Sequence, residues 1–198
     1  MTTTIYFIRH GAVHNPQDIL YGRLPGFHLS IKGSGEIAQT AQFLKDKNIY
    51  ALYASPLLRA KESAHIIQGQ LKLPNIHINK QILEVKTAYQ GKLFSELDPL
   101  QFWVYSKPLS ETDETMEQVG ERMMSFVSET VQKHPGETIA VCSHGDPIMI
   151  LIALINKKPM NLPSVKGGVY SKHGEVFKLT DEDGKQNMKS VFIPQRAK

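Results

Sequence analysis

The chain has 198 residues, 41% hydrophobic and 21% charged, which suits one soluble globular domain over residues 1–198 with a sizeable core. Its 23 Lys and Arg against 19 Asp and Glu give a net charge of +4, and the basic residues stand singly or in pairs, so no nucleic-acid arm is expected. One cysteine excludes an internal disulfide framework and a multi-cysteine metal site; the longest apolar run, 148–155, is too short to span a membrane, no signal peptide is expected, and a cytoplasmic location is the resulting expectation.

Strand and helix patterns alternate along the chain. Residues 5–8 are a short run of β-formers, and 34–47 carry Ile37, Ala41 and Leu44 at the spacing of one helix face. Residues 51–54 predict a second strand, after which Leu57, Ala60, Ala64, Ile67 and Leu71 mark a helix. Ile76 and Ile78 alternate with polar residues as a third strand. The stretch Phe94, Leu97, Leu100, Phe102, Trp103 and Tyr105 predicts a helix packed on the core. Thr115 and Gln118 match a capping box ahead of a helix bearing Met116, Val119, Met123 and Val127. Residues 138–142 predict a strand and 147–155 a buried helix; 176–179 and 188–193, joined through Asp183-Gly184, read as an antiparallel hairpin. The pattern implies a three-layer α/β/α sandwich with a mainly parallel central sheet and an antiparallel C-terminal edge. In such sheets ligands sit outside the carboxyl ends of the strands.

Three strand exits therefore carry the functional reading: Arg9-His10-Gly11, Ser55-Pro56-Leu57-Leu58-Arg59 and Ser143-His144-Gly145-Asp146-Pro147. Two histidines and two arginines at one sheet edge suit a phosphoryl group, because an arginine fork matches paired phosphate oxygens and glycine lets backbone approach an anion. Ser55 and Asp146, each followed by proline, are expected N-caps whose helices point partial positive charge at the pocket, with Arg59 in the first turn.

In this order, Arg9-His10-Gly11, Ser55-Pro56-Leu57-Leu58-Arg59-Ala60, Glu84 and Ser143-His144-Gly145 resemble the histidine phosphatase superfamily, which includes phosphoglycerate mutases and many small-molecule phosphatases. The resemblance runs over about residues 5–155. It implies a two-step covalent reaction without metal or cofactor. By the resemblance His10 is the nucleophile that accepts the phosphoryl group, and Arg9, Arg59 and His144 hold its oxygens and stabilise charge in the transition state. Glu84 is the implied general acid, protonating the leaving alcohol and then activating water. A histidine attacks only through a neutral nitrogen, so its other nitrogen must be held as a donor. Leu83 and Val85 flank Glu84, and partial desolvation raises a carboxyl pKa toward the working pH.

The chain departs from the family pattern in places. Ala12 stands where relatives often have an acid, and Asn15 comes five positions past the histidine rather than six; it is kept as a substrate-binding candidate. Beyond Glu84 the usual glycine and Trp-x-Gly give way to Val85-Lys86-Thr87-Ala88-Tyr89-Gln90-Gly91, so that loop should differ in shape. Arg23, with Tyr21 and the aromatics of 94–105, is expected at the substrate-selecting rim. The Arg-His-Tyr-Gly segment typical of phosphoglycerate mutases is absent from the sequence, which favours a phosphatase.

Other chemistries fit less well. A zinc triad of His10, His14 and His144 lacks a helix to align it and would face Arg9. Cys142 reads as a buried strand residue, the serine exit lacks the first glycine of a nucleophile elbow, and Gly33-x-Gly35-x-x-Ala38 reads as helix-start chemistry. Solvated carboxylates are the default reading for Glu36, Glu62 and Glu96. The expectation is thus a metal-independent enzyme that hydrolyses small-molecule phosphomonoesters through a phosphohistidine at His10. Its partner is a small phosphorylated substrate, with neither nucleic acid nor membrane. A mutase-type phosphotransferase and a non-catalytic phosphate-binding module stay open as alternatives, as do the substrate and homo-oligomerisation.

Overall fold

The computed structural model describes residues 1–97, 105, 108–166 and 170–195. In chain order the elements are β1 (Thr2–Arg9), α1 (Ile31–Leu44) running into a 3₁₀ turn (Lys45–Lys47), β2 (Ala51–Ala54), α2 (Leu58–Leu71), β3 (Ile76–Ile78) and α3 (Phe94–Leu97). There follow α4 (Met116–Lys133), β4 (Thr138–Ser143), α5 (Gly145–Ile155), α6 (Leu162–Lys166), β5 (Val176–Glu182) and β6 (Lys185–Phe192). The strands form one six-stranded sheet in the order β3-β2-β4-β1-β5-β6. Its β3/β2, β2/β4 and β4/β1 pairs are parallel, whereas β1/β5 and β5/β6 are antiparallel. The expected mainly parallel sheet with an antiparallel C-terminal edge is therefore the one observed.

Alternation along the strands builds a core on each face. Ile5 and Phe7 of β1, with Ile139 and Val141 of β4, pack against Val119, Met123 and Phe126 of α4 and Ile148 and Leu151 of α5. On the other face Tyr6, Ile8, Leu52 and Cys142 meet Ile37, Ala41 and Leu44 of α1 and Ala64 and Ile67 of α2. Burying one such large apolar side chain contributes roughly 1.5–3 kcal/mol, so both helix layers are held tightly to the strands whose exits carry the site. No helix among the described residues is long and apolar enough to cross a membrane.

Local chemistry accounts for the element ends. Thr115 and Gln118 close the expected capping box, with Gln118 N donating to Thr115 Oγ1 at 3.2 Å and Thr115 N donating to Gln118 Oε1 at 2.9 Å. Asp183 (φ 49°) and Gly184 (φ 84°) both lie in the left-handed region that a two-residue hairpin turn of the I′ type demands.

Two expectations need correction, and a third lies largely outside the described residues. Helix α1 starts earlier than 34, because Ser30 Oγ caps it by accepting from Gly33 N at 3.0 Å. Neither Ser55 nor Asp146 is an N-cap: Leu57 and His144 hold those positions, and neither caps with its side chain. The Ser55 hydroxyl is committed to His144, and Asp146 lies inside the first turn of α5 with Pro147 after it, where a missing N–H costs no helix bond. The aromatic stretch opens as a single helical turn at α3; Leu100, Phe102 and Trp103 lie outside the described residues.

Candidate active site

Parallel register brings the three exits level. Arg9 pairs with Ser143, and both Ile8 and Ala54 pair with Cys142, so His10, Ser55 and His144 leave the sheet at one edge. Backbone bonds extend the ladder by one residue, from His10 N to Ser143 O and from Ser55 N to Cys142 O, each 3.0 Å.

His10 is 1% exposed. Its Nδ1 lies 2.8 Å from Gly11 O, a carbonyl that only accepts, so Nδ1 carries the proton and Nε2 holds a lone pair. Arg59 Nε donates to that nitrogen at 3.1 Å. Burial, together with the nearby Arg59, His144, Arg9 and His173, holds the His10 pKa well below its usual value, so the ring stays neutral.

The loop after β1 fits because two glycines let it touch α1. A Cβ on Gly11 would lie 2.3 Å from Gly33 O, and one on Gly33 would lie 2.0 Å from Ala12 O. Glu36 Oε2 accepts from Ala12 N at 2.8 Å, and Glu62 Oε2 from Leu29 N at 2.7 Å. These two carboxylates, expected to be solvated, instead tie down loop backbone.

Around His10 stand the other groups that the sequence singles out. Arg59 is buried, donates through Nη2 to Gly22 O at 2.8 Å and lies 4.7 Å from the Tyr21 ring centroid. Arg9 Nη1 donates to Ser171 O, and its guanidinium lies 5.1 Å from the Tyr170 ring centroid. The His144 ring centroid is 5.3 Å from that of His10, and its Nε2 shares a 2.7 Å hydrogen bond with Ser55 Oγ. Burial and surrounding arginines, Arg59 foremost, hold His144 neutral as well.

Glu84 lines a cavity of about 360 Å³ that also touches Arg9, Tyr21, Phe94, Asp146 and Tyr170. Its Oε1 accepts from Val85 N at 2.9 Å. Burial and then the neighbouring Asp146 charge raise its pKa above the ordinary carboxyl range. Asp146 is the opposite case. Burial pushes its pKa up, but Lys166 at 3.2 Å and the hydroxyls of Tyr170 and Tyr105, the latter at 2.7 Å, outweigh that and hold it ionised. One cavity therefore holds two carboxyls pushed toward different protonation states.

Two further candidates sit differently from the rest. Asn15 closes its own loop, donating to Ile19 O at 2.9 Å and accepting from Ile19 N at 3.4 Å. Arg23 donates to the Glu84 carbonyl at 2.7 Å. The structure thus places the Arg23 guanidinium against the backbone of Glu84, while Asn15 is engaged within its own loop.

The structure also adds residues that no motif announces. Tyr170, Ser171 and His173 precede β5, whose antiparallel pairing with β1 delivers them to Arg9 and His10. Gly174 N donates to Arg9 O at 3.0 Å, and the His173 ring centroid lies 5.6 Å from that of His10. Among the described residues, the buried side-chain polar atoms without a hydrogen-bond partner are Arg9 Nε, His144 Nδ1, Ser171 Oγ and His173 Nε2. All four belong to this cluster. A leftover demand for hydrogen bonds concentrated at one place, beside two arginines, is what an anion would satisfy.

Comparison with known proteins identifies relatives of this chain. The chain is 34% identical over 155 residues to Uncharacterized protein Rv0525 of Mycobacterium tuberculosis, covering 75% of this chain and 76% of that one. It is 26% identical over 167 residues to Uncharacterized phosphatase PhoE of Bacillus subtilis, covering 83% of each. The solved structure of Bacillus stearothermophilus YhfR shares the fold with a TM-score of 0.83 at 23% identity, covering 95% of this chain and 96% of that one. Residues 5–192 match the histidine phosphatase superfamily (branch 1), and the chain belongs to that family of phosphatase- and mutase-like enzymes.

Proposed function

We propose that the protein hydrolyses phosphomonoesters of small molecules through a phosphohistidine at His10, without a metal or cofactor. The observation that carries this reading is the neutral His10, with its lone pair at Nε2, among four unpartnered buried polar atoms and two arginines.

The reaction divides into two displacements. His10 Nε2 attacks phosphorus and the bond from phosphorus to the ester oxygen breaks; Glu84 gives its proton to the departing alcohol. Arg59 and Arg9 bind the equatorial oxygens, where charge spreads in the transition state, with His144, Ser171 and His173 around them. In the second step the Glu84 carboxylate takes a proton from water, whose oxygen attacks phosphorus, breaks the N–P bond and releases inorganic phosphate. The raised pKa of Glu84 serves both steps, since a group poised nearer the working pH gives and takes a proton readily.

Hydrolysis is favoured over mutase-type transfer by the absence from the sequence of the Arg-His-Tyr-Gly segment and by the phosphatase name of the Bacillus subtilis relative. The test is phosphate release from an aryl phosphate in excess chelator. Hydrolysis that survives chelation supports the reading. Transfer of phosphate between hydroxyls of one substrate without release to water would replace it with the mutase, and phosphate binding without turnover of any ester would replace it with a binding module.

A further inference from the structure

Glu84 stands on a stretch without regular structure between β3 and α3, yet its backbone is held from behind by two charged side chains that a third joins. Arg23 Nε donates to Glu84 O at 2.7 Å, and Arg122 Nη2 reaches the same oxygen at 3.3 Å. Arg122 Nη1 donates to Gln81 O at 2.6 Å. Glu114 joins the two arginines. It accepts from Arg23 Nη2 at 2.8 Å, from Arg122 Nε at 2.9 Å and Nη2 at 3.1 Å, and from Lys86 N at 2.8 Å.

The three side chains come from separate places: the loop between β1 and α1, the residue just ahead of the Thr115 cap, and helix α4 itself. They are 16–25% exposed, so their ion pairs are neither fully solvated nor cut off from water. Burial raises the Glu114 pKa, but hydrogen bonds from Arg122 and Lys86 and the two guanidinium charges outweigh it and keep the carboxylate ionised. Two cations and one anion leave a net positive charge facing the carbonyls of Gln81 and Glu84. Charge-assisted bonds of this kind are about twice as strong as neutral ones. They converge on the residue that must deliver a proton, where a misplacement of about 1 Å costs roughly 10²-fold in rate.

We propose that Arg23, Glu114 and Arg122 form a clamp that positions the Glu84 carboxyl for proton delivery to the leaving oxygen. They are positioning residues and do not touch substrate. The proposal rests on the reading of Glu84 as the general acid. It also gives the altered sequence after Glu84 a physical counterpart: Lys86 N, two residues on, is fixed by the same carboxylate.

The test compares kcat/KM, which reports the phosphorylation step, for 4-nitrophenyl phosphate and for an alkyl phosphate whose leaving group needs protonation. In Arg23→Lys and Glu114→Gln the alkyl ester should lose about 10- to 100-fold and the nitrophenyl ester less than about threefold. Neither substitution should add to the loss already caused by Glu84→Gln. Equal losses for both esters, or losses that multiply with Glu84→Gln, would overturn the clamp. Should Glu114→Gln fail to fold, Arg23→Lys decides alone, since it keeps a cation at a partly exposed position while removing the Nε bond. A Glu84→Gln variant that itself treats both esters alike would remove the general-acid reading and the clamp with it, and the single variant identifies that outcome.

Discussion

Arg59 donates its Nε–H to Nε2 of His10 across 3.1 Å, while the opposite nitrogen of the same ring is held 2.8 Å from the Gly11 carbonyl. Both ring nitrogens are thereby assigned. The proton sits on Nδ1, and the lone pair faces a permanent cation that disfavours protonation and that can pass its hydrogen bond to an arriving phosphoryl oxygen.

Arg59→Ala should weaken binding of inorganic phosphate by about 10- to 100-fold, the range expected when a hydrogen bond to a charged group is lost. Titration calorimetry with phosphate on wild type and variant measures it. Unchanged affinity would mean that Arg59 serves packing alone.

Asp146→Asn should move the alkaline limb of the pH–rate profile for a poorly leaving ester to lower pH. The neighbouring negative charge raises the Glu84 pKa, so removing it favours the Glu84 carboxylate and the acid is lost earlier as pH rises. A limb that stays in place, or moves up, contradicts the electrostatic pairing of the two carboxyls.

Stability should fall between pH 7 and pH 5. Burial and adjacent cations hold His10 and His144 well below their usual value, and burial with Arg9 and Lys32 pushes His173 down to about 3. Below about pH 6.5 the unfolded chain binds protons that these native rings refuse, at about 1.4 kcal/mol per pH unit for each ring. Glu84, with a raised native pKa, works in the opposite direction but is one group against three. Urea midpoints recorded across this window should decline steadily toward acid, and a flat profile would mean that the site histidines are not buried neutral.

Two glycines of α1 should respond oppositely to alanine. Nothing lies within 4 Å of a Cβ at Gly35, so Gly35→Ala should stabilise the helix by up to about 1 kcal/mol. At Gly33 the new atom would meet the Ala12 backbone at 2.0 Å, and Gly33→Ala should cost about 1–3 kcal/mol or more. Thermal melts of the pair test whether the loop bearing His10 presses on α1.

The extent to which the sequence disclosed this site follows from how each part is delivered. Arg9 and Ser143 end parallel strands, His10, Ser55 and His144 follow those strands directly, and Arg59 lies in the first turn of the next helix; parallel strands put their exits on one edge, so spacing alone assembles them. Glu84 was legible only through the family resemblance, because no periodic pattern surrounds it. Tyr170, Ser171 and His173 are not legible in the sequence because the antiparallel return of β5 beside β1 brings them in, and nothing in their local sequence marks the site. Only the pairing of 176–182 with 2–8 could have pointed to them. The Asp-Pro pair at Asp146 fits a helix start in the sequence, while its partners Tyr105, Lys166 and Tyr170 lie up to 41 positions away, out of reach of any local pattern. The ties of Arg23 are illegible in the sequence because a charge in a loop carries no direction; its partners Glu84 and Glu114 are 61 and 91 positions off.

The central claim is a covalent bond between His10 and phosphorus, and rapid quenching of the enzyme with a radiolabelled phosphomonoester tests it most directly. The account predicts one label per chain, labile to acid and stable to base as a phosphoramidate is, located on the peptide containing His10 and absent from His10→Ala. Phosphate release by wild type without such a label, or turnover that persists in a folded His10→Ala variant, would contradict it.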